Sequence, residues 1–249
     1  MGTGAKLNGK HTETDYGMKL LAIEIGIPET LSERRRLPGG NNYINAGNIG
    51  IFGQRPIKLS FDRLGSYADW LERISLISAD VAGQEVELEL DSQPGYYYYG
   101  LAAVSTTKEN NVVTSFVISL TADPFKYEDA VTESVGTASG KTIGVQGDYE
   151  TPCIIELSPT GAITRYTIKG AARDPVTGEV EDIVIKNLTA GKTVVIDGEA
   201  CKVTENGMNK YGDTEMWEFP SLLPGSNVLA FQSSGAPCDV TIKYKPRYI

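Results

Sequence analysis

The stretch EVELELDSQPGYYYYG, residues 85–100, decides how the first half of the chain is read. Val86, Leu88 and Leu90 alternate with Glu85, Glu87 and Glu89, the period of two that a half-solvated strand shows. Pro94-Gly95 supplies a turn, and four consecutive tyrosines, Tyr96 to Tyr99, follow it. Such a run reads either as a stacking platform for a sugar or a base, or as one strand with rings on both faces. Neighbouring side chains on a strand alternate, so at most two of the four can share a platform. Tyrosine also packs well on a pleated surface. The residues therefore favour a strand, with one face on a helix carrying Trp70 and the other towards a neighbouring chain or solvent.

Upstream, SYADWLERISLISADVAG (66–83) changes period. Tyr67, Trp70, Leu71, Ile74 and Ile77 recur at spacings of three and four, which predicts one face of a helix of about three turns, stopped near Gly83. PIKLSF (56–61) reads as a strand that begins with proline at its edge. GMKLLAIEIGIP (17–28) suggests short strands through Met18, Leu20, Ile23, Ile25 and Ile27. Between these lies LSERRRLPGGNNYINAGNIGIFGQRP, glycine-rich and short of apolar residues, an extended loop or open hairpin. Downstream, VVTSFVISLTAD alternates again through Phe116, Ile118 and Leu120. Sheet with one packed helix is an α+β pattern.

Residues 130–144, AVTESVGTASGKTIG, carry few large apolar side chains and mark the boundary between a domain at 1–135 and another at 136–249. Beyond them come short strand-like runs: CIIEL, AITRYTIKG, VEDIVIKNL, KTVVIDG, EACKVTE, MWEFP, NVLAFQ and CDVTIKYKP. Turn chemistry separates them, as in Asp174-Pro-Val-Thr-Gly and Pro224-Gly-Ser-Asn. Many short strands with explicit turns predict a β-sandwich or jelly roll. The whole chain is thus mainly β.

The formal charge is −9, from 23 basic and 32 acidic residues. No broad basic field exists to grip phosphates, which argues against nucleic-acid affinity and suits a channel that DNA passes without sticking. No run of about 18 apolar residues is present to cross a membrane. The first residues, MGTGAKLNGKHTETDYG, read as a flexible lead without the apolar core of a signal peptide. Cys153, Cys201 and Cys238 cannot all pair within one chain and lie beside strand-like sequence, so they read as buried or semi-buried free thiols in a reducing compartment.

Chemistry-bearing constellations are sparse. His11 is the only histidine and falls in the lead, which removes a histidine-based triad or a zinc site of several imidazoles. GTASGKT (136–142) resembles a phosphate loop but is one residue short, and no strand leads into it, so it reads as linker. Asp80, Asp91, Glu87 and Glu89 are acids without a pattern beyond strand alternation. Arg34-Arg35-Arg36 reads as a mobile arm meeting carboxylates of an adjacent subunit, or as a solvated loop. Asn187-Leu188-Thr189 reads as a turn without attached sugar. No catalytic, cofactor-binding or metal-ligating residue is singled out, no cofactor is expected, and the chain does not read as an enzyme. The abundance of shape-making features points to a protein whose product is a surface.

The order of motifs resembles the distal tail protein (Dit-like) family of siphophage tails. The resemblance rests on DYGMKLLAIEI, on RRRLPGG followed by GNIGIFGQRPIKLSF, on WLERI leading to ELELDSQPGYYYYG, and on TADPFKYE. Later it rests on GDYETPCIIEL, NLTAGKTVVIDGE, NGMNKYGDTEMWEFPSLLPGSNVLAFQ and VTIKYKPRYI. It implies a first domain that closes into a hexameric ring around the DNA channel, and a second, galectin-like sandwich projecting outward. The LPGGN loop at 37–41 and strands at 56–61 and 112–121 would help build the ring. Leu222, Leu223, Pro224, Gly225 and Asn227 would form the turn that shapes one end of the sandwich. The implied partners are further copies of the chain, the tail tube protein and the tail-tip hub, in a virion built in the bacterial host cytoplasm. An acidic inner wall would repel passing DNA. The alternative is a carbohydrate-binding module protein that recognises host cell-wall polysaccharide, with Tyr149, Tyr166, Tyr211 and Trp217 as its candidate aromatics.

Overall fold

The computed structural model describes residues 4–30, 34–36, 38, 41, 43–45 and 52–249. It divides into a unit ending at Tyr127 and a unit from Glu128 to Tyr248. In chain order the first unit contains β1 Ala5–Leu7, β2 Lys10–His11, β3 Leu20–Ile25, β4 Arg34–Arg36, β5 Tyr43–Asn45, β6 Arg55–Asp62, α1 Tyr67–Val81, β7 Glu85–Leu90, β8 Tyr97–Glu109, β9 Val112–Ala122 and β10 Lys126–Tyr127. An antiparallel sheet runs β2–β1–β7–β8–β9–β6–β3, with β10 pairing on β8, while β4 and β5 pair separately.

The alternation read from the sequence sets the core. Val86, Leu88 and Leu90 of β7, Ile57, Leu59 and Phe61 of β6, and Phe116, Ile118 and Leu120 of β9 all bury on one face. Register places Leu88 opposite Tyr98, Leu59 opposite Ile118 and Phe61 opposite Phe116. The helix lays Trp70, Ile77 and Val81 on this face, and each such side chain contributes about 1.5–3 kcal/mol. Ser66 caps the helix by accepting from the Asp69 N–H at 3.2 Å. Gly83 ends it in the left-handed region, φ +72°, and donates to the Ala102 carbonyl. Leu71, placed on the buried face by spacing, is exposed instead.

From Gly4 onward the segment read as a flexible lead is held in place. Ala5 and Leu7 are buried in β1, which pairs with β7, and Thr12 closes back on Ala5 through reciprocal hydrogen bonds. His11 is therefore held in the sheet, with Nε2 3.2 Å from Asp91 Oδ2.

The second unit contains β11 Val131–Gly136, β12 Gly140–Val145, β13 Thr151–Pro159, β14 Ile163–Arg173, β15 Val180–Leu188, β16 Val194–Asp197, β17 Lys202–Glu205, β18 Met208–Asn209, a 3-10 turn at Tyr211–Asp213, β19 Thr214–Glu215, β20 Ser221–Leu222, β21 Gly225–Ser233 and β22 Cys238–Tyr244. One sheet runs β11–β22–β13–β16–β17–β18 and the other β12–β21–β14–β15–β19. Their inner residues share a single core. Ile155, Ile196 and Ile242 come from the first sheet, and Ile168, Ile185 and Phe231 from the second. Two sheets closing on one core make a β-sandwich. Gly170 lies at a break in the β14–β15 register, with φ +87°, where a Cβ would collide with the Val228 carbonyl.

The segment read as a boundary is structural. Residues 131–136 pair with β22 and residues 140–145 with β21, so the division falls at 127/128 rather than at 135/136. GTASGKT connects two strands that belong to different sheets, and a strand rather than a helix follows it. It is neither a phosphate loop nor a linker. MWEFP is not a strand; residues 217–218 bend between the two-residue strands β19 and β20.

Candidate functional site

The tyrosine run splits as strand geometry requires. Tyr98 points into the core, donates from its hydroxyl to Gln93 Oε1 at 2.9 Å, and lies under the Arg55 guanidinium at 5.6 Å from the ring centroid. Burial raises its pKa, with Arg55 opposing the shift. Tyr97 and Tyr99 face the other way, their rings meeting edge to face at 5.2 Å. Tyr127, opposite Tyr97 in register, completes the cluster by stacking on Tyr97 at 5.9 Å. The Tyr99 hydroxyl donates to Glu87 Oε2 at 2.7 Å, and burial together with that carboxylate keeps the phenol protonated. Tyr96 lies before the strand, with Lys126 Nζ 4.6 Å from its ring centroid. The run is structural on both faces. Tyr127 was not singled out in the sequence, because only the β8–β10 pairing brings it there.

The edge of the sheet offers a different surface. Among the described residues β3 pairs only with β6, so its outer backbone groups have no strand beside them. Leu21 is 67% exposed and Ile27 87% exposed beside this edge, and Leu64 is exposed as well. A cleft of about 640 Å³ runs here, lined by Lys19, Leu20, Leu21, Ile23, Asp62 and Leu64 among others. Of the segments implicated in a ring, β6 and β9 stand beside each other, and β6 adjoins β3. Leu37, Gly39 and Gly40 of the LPGGN loop lie outside the described residues. The three arginines form β4, and Arg36 Nη2 donates to Asn41 Oδ1 at 2.8 Å.

The acids considered in the sequence are each tied to a different partner. Asp80 accepts from Lys10 Nζ at 2.6 Å and Tyr16 Oη at 2.8 Å, and these bonds, Lys10 first, hold its carboxyl below the ordinary range. Asp91 is held down first by His11, and Gly4 N–H also donates to it at 3.0 Å. Glu89 pairs with Lys6 at 2.8 Å. Every carboxyl among the described residues that shifts clearly shifts downward, the reverse of what a general acid needs at neutral pH. Among the described residues no group of three or more His, Cys, Asp or Glu side chains is placed to hold a metal ion.

In the second unit the implied end turn is built around Asn227. Its buried amide accepts from Leu223 N–H at 2.9 Å and donates to the Leu223 and Gly225 carbonyls at 2.7 and 3.2 Å. Gly225 takes φ +90° to let the chain turn. NGMNKYGD forms a second anchor. Lys210 is buried with Nζ 2.9 Å from the Asn187 carbonyl, 3.1 Å from Asp213 Oδ2 and 3.5 Å from Glu205 Oε2. Asn187 adopts φ +55° near the end of β15 and donates to Asp213 Oδ1, so the sequon, read as a turn, closes a strand instead. Of the candidate aromatics, Tyr166 belongs to the core and Tyr149 is half-buried. Tyr211 and Trp217 are exposed and line one cleft.

Residues 146–248 match the family model for the siphovirus-type tail component, C-terminal domain. The chain is similar to the crystal structure of the Dit protein of phage SPP1, described as a paradigm of the hub adsorption apparatus in phages infecting Gram-positive hosts. The TM-score is 0.74 at 16% identity, over 99% of each chain. It is also similar to a chain of the phage P2 baseplate in its activated, calcium-bound conformation, with a TM-score of 0.51 and 12% identity over 99% of this chain and 98% of that one. A search of curated proteins by sequence returns no match. At these identities the structural likeness is one of fold. The resemblance read from the motifs thus holds for the fold along the chain and, over residues 146–248, for sequence as well.

Proposed function

We propose that this chain, which carries the Dit fold, is a structural component of the distal end of a phage tail. Six copies close a ring through their first units, join the tail tube to the tip or baseplate, and leave an opening for DNA. The observation that carries this reading is the likeness to SPP1 Dit over 99% of both chains. The family match over residues 146–248 supports it independently. The β3 edge, with Leu21 and Ile27 exposed beside it, supplies a surface for a second copy, in a head-to-tail contact of the kind that closes rings. The net charge of −9 lets DNA pass without adhering. On this reading the tail tube protein and the tail-tip hub are the partners, and the second unit is a galectin-like sandwich that faces outward. The protein acts by assembly rather than catalysis, and is made in the host cytoplasm before entering the virion.

Light scattering behind a sizing column, with negative-stain imaging over a tenfold concentration range, tests it. The expected species has a mass of about six times 26.9 kDa and appears as a ring with a central hole. Leu21→Glu combined with Ile27→Asp should leave the fold intact and abolish the ring. A chain that stays monomeric at every concentration, and also with the tube and hub proteins added, would overturn the proposal.

A further inference from the structure

Trp217 is 90% exposed, an unusual position for so large an apolar ring. Beside it Tyr211, 48% exposed, is steadied by stacking on Phe219 at 6.0 Å with planes 20° apart. Both line a cleft of about 670 Å³ whose other walls include Arg165, Asp182, Val184 and Glu215. That volume falls within the range of about 300–1,000 Å³ typical of small-molecule sites.

The floor of the cleft is the outer face of the β14–β15–β19 sheet. Ile183 and Ile185 face the core, so Val184 between them faces outward, yet it is buried beneath the cleft. Register sets Glu215 opposite Val184 and Arg165 opposite Lys186. The two carboxylate oxygens of Glu215 are held by different cations, Oε2 by Arg165 Nη1 at 2.9 Å and Oε1 by Lys186 Nζ at 3.1 Å. Lys169 pairs with Asp182 at 3.2 Å on the same face. The hydrogen bond from Lys186, then that from Arg165, keeps the Glu215 carboxyl below its ordinary range, so it is an acceptor at neutral pH.

A flat aromatic face thus stands next to a fixed carboxylate and a fixed guanidinium, each with further hydrogen-bonding capacity. A sugar ring matches both halves: its C–H face lies on the indole, and neighbouring hydroxyls donate to the carboxylate and accept from the guanidinium. Three cations and two anions leave no strong field of one sign, which favours an uncharged ligand. The two aromatic rings stand among charged groups rather than in the broad apolar patch that a protein partner buries.

We propose that this cleft binds a neutral oligosaccharide, with Trp217 as stacking platform, Tyr211 as side wall, and Glu215 and Arg165 as hydroxyl partners. The site lies wholly within the second unit and does not depend on ring assembly.

The chain carries its own reporter. Of its two tryptophans, Trp70 is 1% exposed, so a change in solvent-sensitive emission belongs to Trp217. The full chain is titrated with cellobiose, lactose, N,N′-diacetylchitobiose and maltotetraose to about 20 mM, enough to detect millimolar affinity. The expected result is a saturable blue shift with at least one of them, matched by calorimetry. Trp217→Ala should abolish the calorimetric signal, and Glu215→Gln should weaken binding about tenfold or more. Both side chains are exposed, and an unchanged melting temperature certifies that each variant is folded. No saturable change with any of the four sugars overturns the proposal. So does equal binding by Trp217→Ala, or a blue shift that follows protein concentration without sugar, since self-association then buries the ring.

Discussion

The indole of Trp70 donates to the Val113 carbonyl at 3.2 Å, while the Val113 N–H donates to the Tyr67 hydroxyl at 3.3 Å. Both backbone groups of one strand residue are thereby taken by side chains of the helix. Trp70→Phe retains most of the packing but leaves a buried carbonyl without its donor. It should cost about 1–2 kcal/mol, against about 3–5 kcal/mol for Trp70→Ala. Urea unfolding followed by far-UV circular dichroism reads both. Equal stability of Trp70→Phe and the parent chain would remove the bond from the account.

Lys210 gathers Glu205, Asp213 and the Asn187 carbonyl at one buried point. Burial pushes the Glu205 carboxyl upward, but the Thr189 N–H and the Lys210 charge outweigh it and its pKa falls below the ordinary range. Lys210→Met keeps the stem and removes the charge, stranding a largely buried carboxylate. A loss of roughly 3 kcal/mol is expected, at the low end for a broken buried pair because Asp213 stays accessible. Glu205→Gln in the same background should restore part of it. A double variant no more stable than Lys210→Met would show that the charge is not the cause.

Acid should weaken the fold in a defined window. The carboxyls of Asp80, Asp91, Asp213 and Glu215 are held below their ordinary values by Lys10, His11, Lys210 and Lys186 respectively. A carboxyl depressed in the folded state binds its proton more readily in the unfolded one. Its contribution is therefore complete above the unfolded value of about 4 and is lost as pH falls through the folded value. Melting temperature should be level from about pH 7 to 5 and fall below about 4. A constant melting temperature down to pH 3 would contradict these partnerships.

How far the sequence reaches is visible in particular residues. Alternation alone identified the inward faces of β7 and β9, because each has one wet and one dry side and period two survives in the side chains. The same test failed at 131–145, where threonine, serine and glycine occupy the strand positions and only Ile143 and Val145 are buried in β12. What holds those strands is pairing with β21 and β22, which local composition does not record. His11 was read as part of a lead because Asp91 lies 80 residues away. Tyr211 and Trp217 were legible as exposed candidates by type. Arg165 and Glu215 were not, since they meet only through the register of β14, β15 and β19.

The three thiols should separate by accessibility. Cys153 and Cys238 are buried, while Cys201 is exposed in a turn with φ +51°, a departure from the expected burial of all three. Burial raises the Cys153 thiol and, with Asp239, pushes Cys238 up to about 11. Ellman's reagent at pH 8 should titrate one thiol rapidly in the native chain and all three in guanidinium. Rapid reaction of two or more in the native state would place one of the buried pair wrongly.

The pairing order of the sandwich in the second unit also bears on how the protein is made. Strands β11 and β12 emerge from the ribosome early, yet their hydrogen-bonding partners are β22 and β21, at the far end of the same unit. The β2–β1–β7–β8–β9–β6–β3 path of the first unit finds its strand partners within residues 5–122. It can therefore close while the remainder is still being translated, whereas the sandwich waits for nearly its whole length. Until then its two leading strands stand with open edges, and nascent chains halted before residue 238 are the species most in need of a chaperone.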